Sequence, residues 1–152
     1  MLEIERKFLV DRIKWTAANS QFDSQQLTQG YLSTNLTSTV RVRVSPTMSW
    51  LTVKGSTTDI TRSEFEYIIP HEDGLELLQL CQQPLLVKIR HWVSFESHLW
   101  TVDEFKGLNQ GLLLAEIELN TPDEEFTLPD WITEEVSHDP RYYNSYLVSS
   151  KV

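Results

Sequence analysis

Polar and apolar residues alternate along most of the chain, which is the period of a β-strand with two different faces. The N-terminal segment MLEIERKFLV places Glu3, Glu5 and Lys7 on one face, with Leu2 and Ile4 between them. Similar alternation, rich in Val, Ile, Thr, Trp and Tyr, predicts eight strands near residues 2–10, 27–34, 38–45, 49–55, 62–69, 85–95, 98–106 and 112–120. The stretch Ser45-Pro46-Thr47 is typical of a hairpin turn between two of them.

Two or three helices interrupt these strands. Residues 72–82 place Leu75, Leu78 and Cys81 on one helical face. Residues 11–20 are predicted to form a short helix or a loop, and residues 140–150 a helix with Asp139 as its cap and proline near its start. The pattern therefore predicts an α+β fold, rich in β-structure, with mostly antiparallel neighbouring strands.

Charged side chains occupy the polar face of seven of the predicted strands. Glu-x-Glu pairs occur three times, and Arg or Lys is followed two residues later by Arg twice. Period-2 spacing places each such pair on one side of its strand. The charged positions are Glu3, Glu5, Lys7, Arg41, Arg43, Lys54, Arg62, Glu64, Glu66, Lys88, Arg90, Asp103, Glu116 and Glu118.

Two interpretations of this charged face are open. In an ordinary antiparallel sheet, a polar face contacts water. Two carboxylates on one strand face stand about 7 Å apart, and at an effective dielectric of about 20 their repulsion is on the order of 2 kcal/mol. In an enclosed site these acids would therefore require cations, and the Arg and Lys side chains would require anions. The repeated pairing of like charges favours the enclosed site.

One arrangement satisfies both sets of charges. The sheet closes into a barrel with its charged face inward and its apolar face outward, and helices pack on the outside. Carboxylate oxygens are ligands that Mg²⁺ and Mn²⁺ prefer, whereas guanidinium and ammonium groups hold phosphate oxygens. A barrel of about eight strands has room for one small ligand. The pattern thus predicts a site for a metal and a polyanion inside the barrel.

Length, charge and cysteine content narrow the remaining classes. The 152 residues are predicted to form a single domain, 1–152. The net charge of −9 disfavours duplex nucleic acid as a partner, and no apolar run approaches the roughly 20 residues of a membrane-spanning helix. The single cysteine, Cys81, cannot form an internal disulfide, which fits a reducing, cytoplasmic location.

The N-terminal ExExK block resembles the signature of the CYTH superfamily, also called triphosphate tunnel metalloenzymes. Blocks similar to those of the family follow in order: QGYL at 29–32, RVRV at 41–44, LTVKG at 51–55, RSEFE at 62–66, VKIRHW at 87–92, VDEF at 102–105, LLAEIEL at 113–119 and EEVSHDPRYYN at 134–144. The resemblance implies a closed eight-stranded antiparallel β-barrel, or tunnel, with the C-terminal helix near one end. The short length and the DPRYYN tail most resemble the small bacterial inorganic triphosphatases, which are metal-dependent hydrolases.

The resemblance also implies roles for individual side chains. A metal ion, Mg²⁺ or Mn²⁺, is expected at Glu3, Glu5 and Glu118, and a second metal or the attacking water at Glu64, Asp103 and Glu116. Lys7 is expected to contact the reacting phosphate. The triphosphate is expected to contact Lys7, Arg41, Arg43, Lys54, Lys88 and Arg90, with Arg62 and Arg141 as weaker candidates. Arg62 could instead pair with Glu64 or Glu66, and Glu66 with a basic neighbour. Arg141 could instead be an exposed residue near the start of the tail helix, and Tyr31 could either offer its hydroxyl to phosphate or lie in the core.

Alternative functions stay open on the sequence. The chain could be a nucleoside or thiamine triphosphatase, or resemble class IV adenylate cyclases, all of which would need a pocket for a base. It could also be a non-catalytic binder of polyphosphate or nucleotides, although such a binder would not need so many acidic residues. The physiological triphosphate, the metal, the number of metals and whether the chain forms a homodimer are not determined by the sequence.

Overall fold

The computed structural model describes all residues, 1–152, and contains nine strands and three short α-helices. The strands are β1 (Leu2–Val10), β2 (Asp23–Ser33), β3 (Ser38–Val44), β4 (Ser49–Gly55), β5 (Thr61–Ile69), β6 (Leu86–Phe95), β7 (His98–Phe105), β8 (Leu113–Glu118) and β9 (Ile132–Glu135). The helices are α1 (Arg12–Ala18), α2 (His71–Leu80) and α3 (Asn144–Leu147). None of the helices is long and apolar enough to cross a membrane.

Eight of the strands form a closed antiparallel ring, as the sequence predicts. Their order is β5-β4-β3-β2-β6-β7-β8-β1, and β1 pairs again with β5 through residues 2–4. The ninth strand, β9, extends the sheet beside the second half of β1, where it pairs with Phe8 and Val10. The sequence analysis missed β9 because its four residues, ITEE, show neither clear alternation nor enough length.

The apolar outer face of the ring carries the largest hydrophobic core. Trp100, Ile117 and Phe8 point outward from β7, β8 and β1, and Trp15 of α1 and Trp131 pack on them. All five side chains are buried. A second outer cluster joins α2 to β3 and includes Cys81, which is buried as the sequence predicts. Burial of large apolar side chains on the outside leaves the inner face free for charge.

The inner face changes from charged to apolar at one end of the ring. Leu86, Phe105 and Leu114 continue the inward-facing series of their strands, and Leu147 and Val148 of the C-terminal tail pack against them. The tail was predicted as one helix over 140–150, but it forms a 3₁₀ turn at Pro140–Tyr142 and then α3. The predicted capping residue is correct, because Asp139 accepts a hydrogen bond from the backbone N–H of Arg141. The tail thereby closes one end of the tunnel.

Candidate active site

The charged faces of the strands line an internal cavity of about 460 Å³. Its cationic lining consists of Lys7, Arg41, Arg43, Lys54, Arg62, Lys88 and Arg90. Its acidic lining consists of Glu3, Glu5, Asp59, Glu64, Glu66, Glu116 and Glu118. The paired charges of the sequence are therefore enclosed rather than spread over a solvent-exposed sheet. Enclosing so many ions is expensive unless they are paired with one another or with a ligand.

A buried ionic network lies beneath the cavity near its closed end. Asp103, which is 1% exposed, accepts hydrogen bonds from Arg90 Nε at 2.7 Å and from Lys88 Nζ at 2.7 Å. Burial lowers the pKa of Lys88 to about 7 despite this carboxylate, because desolvation disfavours the ammonium form. The Asp103 carboxylate has a lowered pKa because the cationic Arg90 and Lys88 outweigh its own burial. Asp103 therefore orients two cations.

A third cation at the closed end, Lys7, is held by a carboxylate on the neighbouring strand. Lys7 Nζ lies 3.1 Å from Glu116 Oε1, and the two residues are direct partners across β1 and β8. Arg90 Nη2 lies 3.7 Å from the other oxygen of Glu116. The cations Lys7 and Arg90 overcome burial and hold the pKa of Glu116 well below its usual range. Both charges of this pair reach the cavity.

Toward the other end, the acids Glu3 and Glu64 share the cation of Lys54, and Glu3 also pairs with Arg62. Lys54 Nζ lies 2.8 Å from Glu3 Oε1 and 3.1 Å from Glu64 Oε2, and Arg62 Nε lies 3.2 Å from Glu3 Oε2. Arg62 thus pairs with Glu3, and not with Glu64 or Glu66 as the alternative had it. The pKa of Glu3 is lowered to about 2, mainly by Lys54 acting against burial. The pKa of Glu64 is raised by burial and by its hydrogen bond with Glu3.

Among the acidic side chains of the cavity, Glu5 is the one whose ionised form is least stabilised by neighbouring cations. Burial raises its pKa to about 8, and the neighbouring Glu116 and Glu3 carboxylates add to the effect. On β8 its direct partner is another acid, Glu118, whose pKa is also raised by burial. Like charges opposite one another on paired strands destabilise a sheet unless a cation lies between them. Without a cation, Glu5 therefore holds a proton near neutral pH, and a bound cation in this part of the cavity would take the place of that proton.

The wall formed by β3, β4 and β5 presents a pair of guanidinium groups. Arg41 Nη2 and Arg43 Nη2 each lie 3.4 Å from Glu66 Oε2. Thr52 donates a hydrogen bond to the same Glu66 oxygen at 2.8 Å, and the Arg43 guanidinium lies over the ring of Trp50 at 5.2 Å. The buried Nε atoms of both arginines have no hydrogen-bond partner. Both guanidinium groups line the cavity, and Glu66 pairs with these basic neighbours.

The carboxylates could hold a divalent metal, although no group of three side chains is already gathered at ligand distance. Glu5 and Glu118 face each other without a paired cation, and Glu64, which pairs with Lys54, lines the same cavity. These oxygen donors suit Mg²⁺ or Mn²⁺, which accept carboxylate ligands and bind phosphate oxygens as well. A metal at this position would offset the burial and the repulsion that together raise the pKa of Glu5.

The structure leaves two of the expected site residues outside the cavity. Arg141 lies in the exposed 3₁₀ turn, with its side chain 62% exposed and paired with Asp139 at 2.6 Å, and it does not line the cavity. Asp103 does not line the cavity, because Lys88 and Arg90 occupy both of its oxygens. Tyr31 lies in the cavity wall and is also buried in the apolar cluster at the closed end.

Sequence reasoning missed several polar residues that line the cavity. The C-terminal tail contributes Ser137, Tyr143, Asn144 and Ser145. These residues belong to or follow the EEVSHDPRYYN block, which was identified by resemblance but assigned no polar role beyond Arg141. Their residue types do not indicate this position, because they face the interior only when the tail crosses the end of the tunnel.

The sequence profile of the CYTH domain matches residues 1–143. The chain belongs to the CYTH domain family. It is 45% identical to the inorganic triphosphatase of Acetivibrio thermocellus over an alignment of 149 residues, which covers 97% of this chain and 94% of that protein. It is 33% identical to the inorganic triphosphatase of Nitrosomonas europaea over an alignment of 154 residues, covering 99% of each protein.

Solved structures of similar proteins agree with the CYTH assignment. The crystal structure of an inorganic triphosphatase superposes with a TM-score of 0.68 at 31% identity, covering 97% of this chain and 98% of that one. A protein from Pyrococcus horikoshii, at 19% identity and with a TM-score of 0.61 over 79% of this chain, shares the fold. The ring of strands in this CYTH protein is thus the tunnel that the sequence blocks predict.

Proposed function

We propose that this CYTH-domain protein hydrolyses inorganic triphosphate to pyrophosphate and phosphate inside its tunnel, with the help of a divalent metal ion. The observation that carries the proposal is the internal cavity lined by seven cationic and seven acidic side chains, in a chain 45% identical to an inorganic triphosphatase. Phosphoryl transfer depends mostly on positioning and on charge stabilisation, and an enclosed cavity of this kind supplies both.

The cationic lining is arranged to hold a chain of phosphate groups. Lys7, Lys88 and Arg90 lie at the closed end, while Arg41 and Arg43 lie along one wall. Guanidinium groups bind phosphate oxygens through two parallel hydrogen bonds, and lysine adds a compact charge. In the free protein these cations are neutralised by Glu66, Asp103 and Glu116. A bound triphosphate would bring further negative charge into the cavity and would compete with these carboxylates for the cations, so a bound metal ion is needed to offset part of that charge.

We assign the metal to the acidic set around Glu5. Glu5 and Glu118 are opposite one another, and Glu3 is the next inward-facing residue of the same strand. A bound Mg²⁺ or Mn²⁺ would neutralise the charge that develops on the phosphate oxygens. Of the two ions, neither is favoured by the geometry. The reducing, cytoplasmic location that the lone cysteine suggests is part of the same proposal.

Glu64 is our candidate for orienting the attacking water. Its side chain lines the cavity and pairs with Lys54 at 3.1 Å, and its pKa is raised by burial and by Glu3. A carboxylate with a raised pKa is a better proton acceptor near neutral pH. Glu116 is the second candidate, although Lys7 and Arg90 already hold it. Asp103 is assigned to positioning Lys88 and Arg90, since both of its oxygens accept hydrogen bonds from them.

A substrate panel tests this proposal against the alternatives. Initial rates of phosphate release would be measured with tripolyphosphate, ATP and thiamine triphosphate, each with Mg²⁺, with Mn²⁺ and with EDTA. We expect metal-dependent release from tripolyphosphate at a far higher rate than from the other two. Preference for ATP or thiamine triphosphate would replace inorganic triphosphate as the substrate. Binding of tripolyphosphate without any cleavage would make the protein a binder.

A further inference from the structure

The C-terminal tail makes polar contacts with the cations at the closed end of the tunnel, in addition to its apolar packing there. The side-chain oxygen of Asn144 accepts a hydrogen bond from Lys88 Nζ at 2.9 Å. Two residues earlier, the backbone carbonyl of Tyr142 accepts a hydrogen bond from Lys7 Nζ at 3.3 Å. Two of the ammonium groups assigned to the phosphates are thus held by residues that close the tunnel.

The contact with Asn144 leaves Lys88 a single N–H donor without a protein partner and limits the direction in which that donor points. An ammonium group has three N–H donors, and Lys88 directs one to Asp103 at 2.7 Å and another to Asn144. Lys88 is fully buried but lines the cavity, so its third N–H is the one left for a ligand. Lysine has a flexible stem and three rotatable donors. Two hydrogen-bonded partners therefore fix the rotation of the ammonium group and with it the direction of the third donor.

Asn144 is itself fixed by a buried partner. The fully buried Gln29 on β2 donates from Nε2 to the same Asn144 oxygen at 3.1 Å. Farther along the tail, the carbonyls of Leu147 and Ser150 accept hydrogen bonds from the side chain of Asn109 at 2.9 and 2.8 Å. The backbone N–H of Val152 donates to the side-chain oxygen of Asn109 at 3.0 Å. The carboxamide that faces Lys88 therefore rests on an anchored segment rather than on a loose terminus.

We propose that Asn144 is a positioning residue that acts through Lys88, so that the C-terminal tail is part of the phosphate-binding machinery as well as a closure of the tunnel. The inference rests on the proposed function in placing phosphate at Lys88. Removing the Asn144 carboxamide frees the ammonium group to rotate and leaves the donor of Gln29 without its acceptor. The effect on ligand binding should therefore depend on whether Lys88 is present.

A double-mutant cycle tests this dependence. Binding of tripolyphosphate in EDTA would be measured by titration calorimetry for the full chain and for Asn144→Ala, Lys88→Met and the double variant. Loss of a hydrogen bond to a charged group predicts a Kd about 10-fold weaker for Asn144→Ala. In the Lys88→Met background the same change should have no further effect. An equal loss in both backgrounds, or no loss in either, would overturn the proposal.

Two further variants separate positioning from general damage to the tail. Ser149→Ala alters an exposed residue of the same tail and should bind tripolyphosphate as the unmodified chain does. Gln29→Leu removes the second donor to Asn144 and should weaken binding in the same direction by a smaller factor, even if Asn144→Ala proves unstable. Thermal melting without ligand reports the stability of each variant. If both Gln29→Leu and Asn144→Ala fold and neither weakens binding, the inference is contradicted.

Hydrolysis by the unmodified chain is measured alongside, so that the two proposals can fail separately. Coupling between Asn144 and Lys88 without any hydrolysis would remove the proposed function and keep the positioning role. Hydrolysis with an unaltered Kd and rate for Asn144→Ala would remove the positioning role alone.

Discussion

Substituting Glu5 with glutamine should stabilise the metal-free protein while removing its metal-dependent activity. Burial and the neighbouring Glu116 and Glu3 carboxylates raise the pKa of Glu5 from 4.5 to about 8. Each pKa unit corresponds to about 1.4 kcal/mol, so ionised Glu5 would destabilise the fold by at most about 5 kcal/mol. Because the cavity admits water, which weakens such effects, we expect a gain of about 1–3 kcal/mol for Glu5→Gln.

The gain should depend on pH in a definite direction. A carboxyl group whose folded pKa lies above its unfolded value binds more protons when folded, so the free energy of unfolding falls as pH rises from about 4.5 to about 8. The difference between Glu5→Gln and the unmodified chain should therefore be small at about pH 5 and largest above pH 8. Urea unfolding in EDTA at several pH values measures this difference directly.

An exposed acid on β9 provides the matched control for this experiment. Glu134→Gln removes one negative charge from the surface and should change the free energy of unfolding by less than about 0.5 kcal/mol at every pH. In the presence of Mg²⁺ or Mn²⁺, turnover should be lost for Glu5→Gln and kept for Glu134→Gln. A Glu5→Gln variant that unfolds at the same or a lower urea concentration than the unmodified chain above pH 8 would refute the reasoning about enclosed carboxylates.

Three other predictions follow from the same structure. Metal binding requires ionised ligands, so at pH 7 binding of Mn²⁺ should release about one proton from Glu5. Calorimetry in two buffers of different ionisation enthalpy measures the number of protons released, and the same number in Glu5→Gln would contradict this prediction. Arg141→Ala should leave the rate of tripolyphosphate cleavage within about 2-fold, since its side chain is 62% exposed and pairs with Asp139; a loss above 10-fold would return Arg141 to the site. Trp100→Ala should destabilise the fold by about 3–5 kcal/mol in urea unfolding, because Trp100 is fully buried in the outer core; a loss below 1 kcal/mol would show that this core contributes little.

The ring of strands was predictable from the sequence because its two faces differ in a strict period of two. Val42 and Val44 point outward and Arg41 and Arg43 inward, and each alternation of this kind identifies a strand and the side of it that is enclosed. The inward orientation of Glu5 and Glu118 also follows the period. Register between strands that are distant in sequence, such as β1 and β8, did not follow from the pattern.

The closed end of the tunnel was less predictable. The tail has no apolar period long enough to specify a helix, and contacts from Asn109 to Leu147 and Ser150 hold it in short turns instead. Arg141 carries the charge expected of a phosphate ligand, but its nearest partner is Asp139 in the same turn. Asn144 carries no charge and gives no signal in the sequence, although it contacts Lys88.

Phosphorus NMR of tripolyphosphate incubated with the full chain tests the central claim most directly. We expect resonances of pyrophosphate and orthophosphate to grow in equal amounts with Mg²⁺ or Mn²⁺, and no change with EDTA. An unchanged tripolyphosphate spectrum with both metals, or equal cleavage in EDTA, would contradict metal-dependent hydrolysis of triphosphate in this tunnel.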